Sequence, residues 1–578
     1  MRALLLALLA TASPVTAASL YDVGPGQPYA AIGDVPWESL GPGDVVQIHW
    51  RSTPYKEKWV IGRQGTAAAP IVVRGIPGPG GERPVIDGNG ATTRLALDFA
   101  SETRGVIKIG SSSIPPDTVP RWIVLEGLHV TGARSGRSFT DDSGASQTYA
   151  ANASTIYLEK GENVTVRDCE LTDSGNGFFV ASSDAAASRD ILVEGCFIHD
   201  NGNVGSIFEH NLYVAGIGMT FQYNRLGPLL PGASGNNLKD RSAGLVVRYN
   251  WIEGGNRQLD LVDGEDSALI RSDPRYGQTH VYGNVLIEPD AAGNRQLIHY
   301  GGDSGTTANY RKGTLWLYGN TFVSRRTDAN RTTLVRLSTN GETCDARDNI
   351  VYLPAAAGTS LSLMDTDGVL RFGHNWMEPG YRVSFGTFTG TVTDDGTSIL
   401  GTNPGFVDEA AQDFRLAAGS ACRDSGTALD PAVLPEHALL DEYVVHQSGT
   451  ARPQDGALDA GAHEYCGGSL PGNVSGLRFD ADRQTLRWTA AAGALTYDVL
   501  RGSLNVLRAS SGDFDAASDA CPADDLSGTS IADATQPGPG AGAGVFWLVR
   551  GIGCGGMVGA WDDGSARQAG TRDPGVCP

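Results

Sequence analysis

The sequence predicts an all-β chain: a parallel β-helix, built as a solenoid of stacked three-strand coils, followed by a small β-sandwich. Three observations predict it. Long amphipathic helical patterns are almost absent while short β-type phrases recur; one phrase returns with an asparagine at a fixed place; and beyond about residue 470 the repeat gives way to alternating strands. Glycine agrees, with 77 in 578 residues, nearly twice the usual share of about 7%.

The chain opens with Met1-Arg2 and an apolar run from Ala3 to Ala10, too short to span a bilayer, before the small residues Thr16-Ala17-Ala18. That pattern predicts an export signal over residues 1–18, so that the protein is secreted or held at the cell surface. No later run is apolar for the roughly 18 residues of a membrane span, and no transmembrane segment is expected. A formal charge of −21 argues against nucleic acid as a partner, because that partner needs a basic face.

Residues 19–466 are expected to form the solenoid. Its marker phrase runs through Val124–Val130, Thr165–Leu171, Leu192–Ile198, Thr220–Leu226, Val246–Ile252, His280–Leu286, Trp316–Phe322 and Ala346–Val351, with a worn copy at Arg371–Trp376. Copies recur at roughly 26 to 41 residues, the length of one coil of three short strands with loops. A single coil has no partner for its apolar face, and stacking at the strand spacing of about 4.8 Å supplies one. Asn224, Asn250, Asn284, Asn320, Asn349 and Asn375 should then stack as an internal ladder whose amides bond to one another or to the turn backbone. Cys169 and Cys196 hold the same position in adjacent coils, with Cα atoms near the range of about 4.4–6.8 Å that a disulfide accepts; the alternative is a pair of parallel buried thiols.

The first coils are carried by Gly43–Ile48, Pro70–Gly75 and Pro84–Gly88, and the far end by Asn403–Asp408, Asp413–Leu416, Ser420–Gly426 and Asp459–Tyr465. With these phrases the chain resembles the right-handed parallel β-helix superfamily of pectate lyases and related enzymes over about residues 19 to 465. The resemblance implies a right-handed solenoid and leaves the reaction open. Residues 467–473 read as a linker, and 474–578 as a sandwich resembling a fibronectin type III module, with Trp488 and Tyr497 in its core. Cys466, Cys521, Cys554 and Cys577 point to disulfide stapling of that module, with pairing left open.

The densest polar phrases fall in mid-solenoid. Alternation turns Leu212, Val214, Leu238, Leu259 and Leu261 inward, and Asn211, Tyr213, Asn237, Lys239, Gln258 and Asp260 outward, beside His210 and Arg241. Between Arg225 and Arg275, seven basic residues offset seven acidic ones, so this stretch tolerates an acidic polymer in an otherwise negative chain.

Such a face fits β-elimination from a uronate-containing polysaccharide. The uronate carboxylate must be neutralised, a base of lowered pKa must take the C5 proton, and an acid must protonate the leaving oxygen. Lys239 is expected as base, Arg241 as carboxylate partner, and His210 or Tyr213 as proton donor. Asn211, Asn237 and Arg257 are expected substrate contacts. Asp260, Asp263 and Glu265 are candidate ligands for calcium, the expected cofactor. Leu238-Lys239-Asp240 resembles the lysine phrase of the chondroitinase B and alginate lyase family; where that family places arginine-histidine one coil later, this chain reads Leu261-Val262-Asp263-Gly264. The partner is thus an acidic polysaccharide, acted on by a monomer. Two other readings remain: a glycoside hydrolase on the same fold, with Asp260 and Asp263 or Asp266 as its carboxylates, and a non-catalytic surface protein. An exposed salt-bridge ladder of Lys239, Arg241 and Asp260 would fit the last.

Overall fold

A computed structural model describes residues 18–561 except 95–96, 117, 291, 328–331, 355–360, 454–455, 468–470, 534–543 and 554–556. The expected export signal up to residue 17, and Cys554 and Cys577, lie outside the described residues. The chain divides into two compact units. One runs to Arg415 and takes in 420–449 and 456–463; the other holds 416–419, 450–455 and everything from Glu464 on.

The larger unit is a parallel β-helix whose described residues form three long sheets of 14, 11 and 14 strands. Through the middle of the solenoid each coil contributes one strand to each sheet in turn. The coil from Gly216 illustrates the pattern: Gly216–Gln222 joins the first sheet, Arg225–Leu226 the second and Leu238–Asp240 the third. Inward residues stack in register, as Phe221 on Val247 and Leu212 on Leu238, and one apolar core runs from Val23 to Met377.

The corner between the first and second sheets is built by two residues. The one before the ladder asparagine takes a positive φ, as at Tyr223 (55°), Gly283 (66°), Gly319 (60°) and Asp348 (56°), which turns the chain sharply. The asparagine then points inside. Asn250 Nδ2 donates to Asn284 Oδ1 (3.0 Å) and to the carbonyls of Phe221 and Arg248 (2.9 Å each), and Asn250 Oδ1 accepts from the Asn224 N–H (3.0 Å). The same contacts repeat through Asn320, Asn349 and Asn375, so the ladder forms as expected.

Cys169 and Cys196 extend it as free, buried thiols. Cys169 N–H donates to Cys196 Sγ (3.5 Å) and Cys196 N–H to Asn224 Oδ1 (3.0 Å), so sulfur takes the amide's acceptor place. A disulfide here is not formed, because each side chain is committed to the corner above it.

The described residues of the smaller unit form two three-stranded antiparallel sheets. One orders Ser475–Phe479, Thr485–Thr489 and Ser530–Ala532; the other orders Ser518–Leu526, Thr496–Ser503 and Val545–Ile552. Leu486 and Trp488 from the first meet Tyr497, Val499 and Val549 from the second, which puts Trp488 and Tyr497 in the core as expected.

Candidate functional site

Alternation on the third sheet builds one outward column across successive coils: Tyr157, Phe179, Tyr213, Lys239, Asp260, His299 and Arg336. A cavity of about 570 Å³ opens over it, lined by Phe179, Tyr213, Lys239 and Asp260 of the column and by His210, Arg241, Arg257, Glu265, Arg104 and Asp303 around it. The sequence-expected His210, Tyr213, Lys239, Arg241, Arg257, Asp260 and Glu265 are therefore brought together.

Lys239 is clamped between two carboxylates, with Nζ 2.9 Å from Asp260 Oδ2 and 2.5 Å from Asp303 Oδ2. Burial alone would lower its pKa, but the two anions outweigh burial and hold it above the ordinary lysine value. This corrects the expectation of a base made acidic by neighbouring positive charge: Lys239 is a locked ammonium. Asp260, 2% exposed, receives Lys239 and Asn236 Nδ2 (2.8 Å) on Oδ2 and His299 Nδ1 (2.8 Å) on Oδ1. Burial opposes its ionisation, yet Lys239 and His299 hold its carboxyl well below the usual carboxylate range.

Arg241 spends its guanidinium within the protein. Nε donates to Tyr213 Oη (3.1 Å), Nη1 to the Asp263 carbonyl (2.7 Å), and Nη2 to Asp303 Oδ1 and Glu265 Oε1 (2.9 Å each). Arg241, expected to meet the substrate carboxylate, is therefore already neutralised, and its Nε holds Tyr213 Oη. Since Tyr213 Oη accepts from Arg241, its own proton is free to point elsewhere. The His210 ring stands edge-on to Tyr213, with centroids 5.5 Å apart. Its Nδ1 accepts the Asn236 N–H (2.8 Å), which puts the ring proton on Nε2. Burial, then the Lys239 charge, pull its pKa down to about 3, so His210 is a neutral hydrogen-bonding group and no acid at neutral pH. The contact with Asn236 requires Gly235, where a Cβ would lie 1.8 Å from the Glu209 carbonyl oxygen.

Asn211 and Asn237 are not on this face. Both are fully buried, in a second ladder: Asn201 Nδ2 donates to Asn211 Oδ1 (3.0 Å) and Asn211 Nδ2 to Asn237 Oδ1 (2.9 Å). Each precedes its strand, and at a corner two consecutive residues turn inward where alternation predicts one.

The expected calcium ligands do not fit a calcium site. Both oxygens of Asp260 are taken by Lys239, Asn236 and His299. Asp263 is fully buried and accepts from the backbone N–H of Asp303 (2.9 Å) and from Ser304 Oγ (2.5 Å), and Glu265 pairs with Arg241. Cations, not vacant oxygens, occupy the space between them, and among the described residues no three His, Cys, Asp or Glu are grouped to hold a metal.

Three site residues escaped the sequence reading. Asp303 reaches Lys239 and Arg241 from a loop after the next coil but one, positioned by Asp263. His299 continues the column and joins Asp260 to Ser338 Oγ (2.9 Å). Arg104 comes from a turn far upstream; its guanidinium lies over the rings of Tyr157 (5.0 Å) and Phe179 (4.8 Å), and its Nε and Nη2 have no hydrogen-bond partner. The outward column was the available signal for His299; Asp303 and Arg104 stand outside any repeated phrase.

A family model described as "Right handed beta helix region" matches residues 145–322. No curated protein matches. Among solved structures, the pectate lyase Pel9A is 13% identical with a TM-score of 0.40, over 78% of this chain and 98% of its own. A GH136 lacto-N-biosidase from Eubacterium ramulus is 11% identical at 0.40, over 66% and 68%. An alginate lyase from Paenibacillus sp. str. FPU-7 is 13% identical at 0.33, over 61% and 93%.

Proposed function

We propose that the third-sheet cavity binds a uronate-containing polysaccharide and cleaves it by β-elimination, with Tyr213 as the group that moves the proton. A contrast among the cavity's cations supports this. Lys239, Arg241 and Arg257 are all paired with carboxylates, whereas Arg104 makes no ion pair and no hydrogen bond through its guanidinium among the described residues and rests only on two aromatic faces. An unneutralised guanidinium on a cavity wall calls for an anion from outside. It lies over Phe179, one coil or about 5 Å from Tyr213, which matches a sugar carboxylate close to the bond being cut.

In the reaction Tyr213 Oη, once it has given its own proton to solvent, takes the C5 proton, the C–H electron pair forms the C4–C5 double bond, and the C4–O bond breaks. The proton returns from Oη to the leaving oxygen. Arg241 Nε beside Oη and the Lys239 ammonium in the adjacent coil stabilise the negative charge as it passes, and neutral His210 supplies a directed N–H. Lys239 thus acts by charge, and Lys239→Arg should keep measurable activity while Tyr213→Phe loses it. If Lys239→Arg and Lys239→Ala are equally dead and Tyr213→Phe is active, the assignment fails.

A second reading, glycoside hydrolysis, has its own observation. Asp303 and Glu265 both meet Arg241 Nη2, and their pKa values move apart. Burial, against the opposing Arg241 charge, raises Glu265; for Asp303 burial is outweighed by Lys239 and Arg241, which lower it. New reducing ends without an unsaturated uronate would select it. Export before this function, through the segment ending at Ala18, and a fibronectin type III-like fold for the C-terminal sandwich, stapled by its cysteines, belong to the same proposal. Among the described residues no helix is long and apolar enough to cross a membrane.

A further inference from the structure

A second cavity, about 820 Å³, lies over the first sheet. Its floor is another register column, Leu192, Thr220, Val246, His280 and Trp316, drawn from five successive coils. Its roof is the segment Ala432–His437.

The roof is tied down along one side. Tyr318 Oη donates to the His437 carbonyl (2.6 Å) and Tyr249 Oη to the Ala438 carbonyl (3.2 Å), while Val433 and Leu439 pack with Tyr249, Tyr282, Trp316 and Tyr318. The His437 ring stacks on His280 with centroids 3.7 Å apart and planes at 26°. Roof and floor meet there, and Leu192, Thr220 and Val246 line the same cavity.

The chemistry of the walls narrows the ligand. Arg248, Arg275, Asp190 and Glu436 all line the cavity, so its two positive and two negative side chains cancel in formal charge. Arg275 is paired with Asp273, and Arg248 bonds Gln222 Oε1 (2.9 Å) and Tyr282 Oη (3.1 Å). Both imidazoles are neutral: burial pulls His280 down to about 3, and burial lowers His437 as well. His437 Nδ1 is buried without a partner, and the His280 ring makes no hydrogen bond among the described residues. Neutral hydrogen-bonding groups stand beside an aliphatic strip in a cavity within the usual range of about 300–1,000 Å³ for ligand sites. A sugar ring has that pairing of an apolar C–H face with a polar edge, and the strip repeats every coil, at about 4.8 Å, as sugar units would along a chain.

We propose that this cavity is a binding site for an uncharged oligosaccharide, separate from the third-sheet site. The inference does not depend on what the third-sheet cavity catalyses. The test is isothermal titration of the full chain with cellohexaose, xylohexaose and maltohexaose, alongside a uronate hexamer as the charged comparison. At least one neutral hexamer should bind saturably. Val246→Trp, which fills the floor, and His437→Ala, which removes the unpartnered imidazole, should each weaken it about tenfold or more while circular dichroism and thermal midpoint stay near wild type. Should Val246→Trp unfold, Thr220→Leu gives the same obstruction with a smaller change. No binding of any neutral hexamer, binding of the uronate hexamer alone, or affinity untouched by these folded variants would overturn the proposal.

Discussion

Asp260→Asn replaces one carboxylate on which the candidate site converges. Four donors point at its two oxygens: Lys239 Nζ (2.9 Å) and Asn236 Nδ2 (2.8 Å) at Oδ2, and His299 Nδ1 (2.8 Å) and Arg257 Nη1 (3.5 Å) at Oδ1. An amide keeps one accepting oxygen and turns an N–H toward the donors on the other side. It also removes the charge that balances Lys239 in a place 2% exposed. Breaking a buried ion pair from one side costs about 3–5 kcal/mol, and an orphaned buried donor about 1–3 kcal/mol, so a loss of about 3–5 kcal/mol is expected, softened by the remaining Asp303. Urea denaturation of the two proteins, followed by fluorescence with equal m values, measures it. A loss below about 1 kcal/mol would mean that Lys239 and His299 find other partners without cost, and the clamp described here would be wrong.

Other consequences are independent of that clamp. Asn250→Ala empties a ladder position making contacts of 2.9–3.0 Å with Phe221, Arg248, Asn284 and Asn224, and should cost at least about 3 kcal/mol by the same denaturation. Arg104→Ala should raise KM for a uronate polymer about tenfold or more while leaving the thermal midpoint within a few degrees, since no protein group loses a hydrogen bond. Cys169, Cys196, Cys344 and Cys422 are buried free thiols, with burial pushing Cys196, Cys344 and Cys422 up, and should ignore a thiol reagent until the protein unfolds. His210 and His280 titrate near 3 when folded, against about 6.5 unfolded, so between those values the unfolded chain binds more protons. Their contribution is full above about pH 6.5 and is lost as pH falls toward 3, and His280→Gln should flatten the fall in urea midpoint over that range.

The solenoid was legible because its signal repeats. Asn224 through Asn375 recur with the same apolar flanks, and a stacked coil needs the same residue in the same corner, so one physical demand is written several times. Alternation placed Tyr213, Lys239 and Asp260 correctly because they sit mid-strand. It misplaced Asn211 and Asn237 because they stand at corners, where both a residue and its neighbour turn inside. The roles of Lys239 and Arg241 depended on Asp303, 64 residues after Lys239 on a loop that no repeat marks. Arg104 was likewise invisible, since what distinguishes it is the partner it lacks. Calcium was expected because Asp260, Asp263 and Glu265 offer hard oxygen ligands, and the structure shows the oxygens of Asp260 and Asp263 already answered by lysine, histidine, asparagine, serine and backbone, and Glu265 paired with Arg241.

The central claim is tested most directly by near-ultraviolet absorbance and reducing-end release measured together while the full-length protein acts on alginate, pectate, chondroitin and hyaluronan. The account predicts that with at least one of these polymers absorbance from an unsaturated uronate rises in step with new ends, and that Tyr213→Phe abolishes both. New ends without absorbance would replace elimination by hydrolysis, and a flat trace in both channels on all four polymers would contradict the proposed activity altogether.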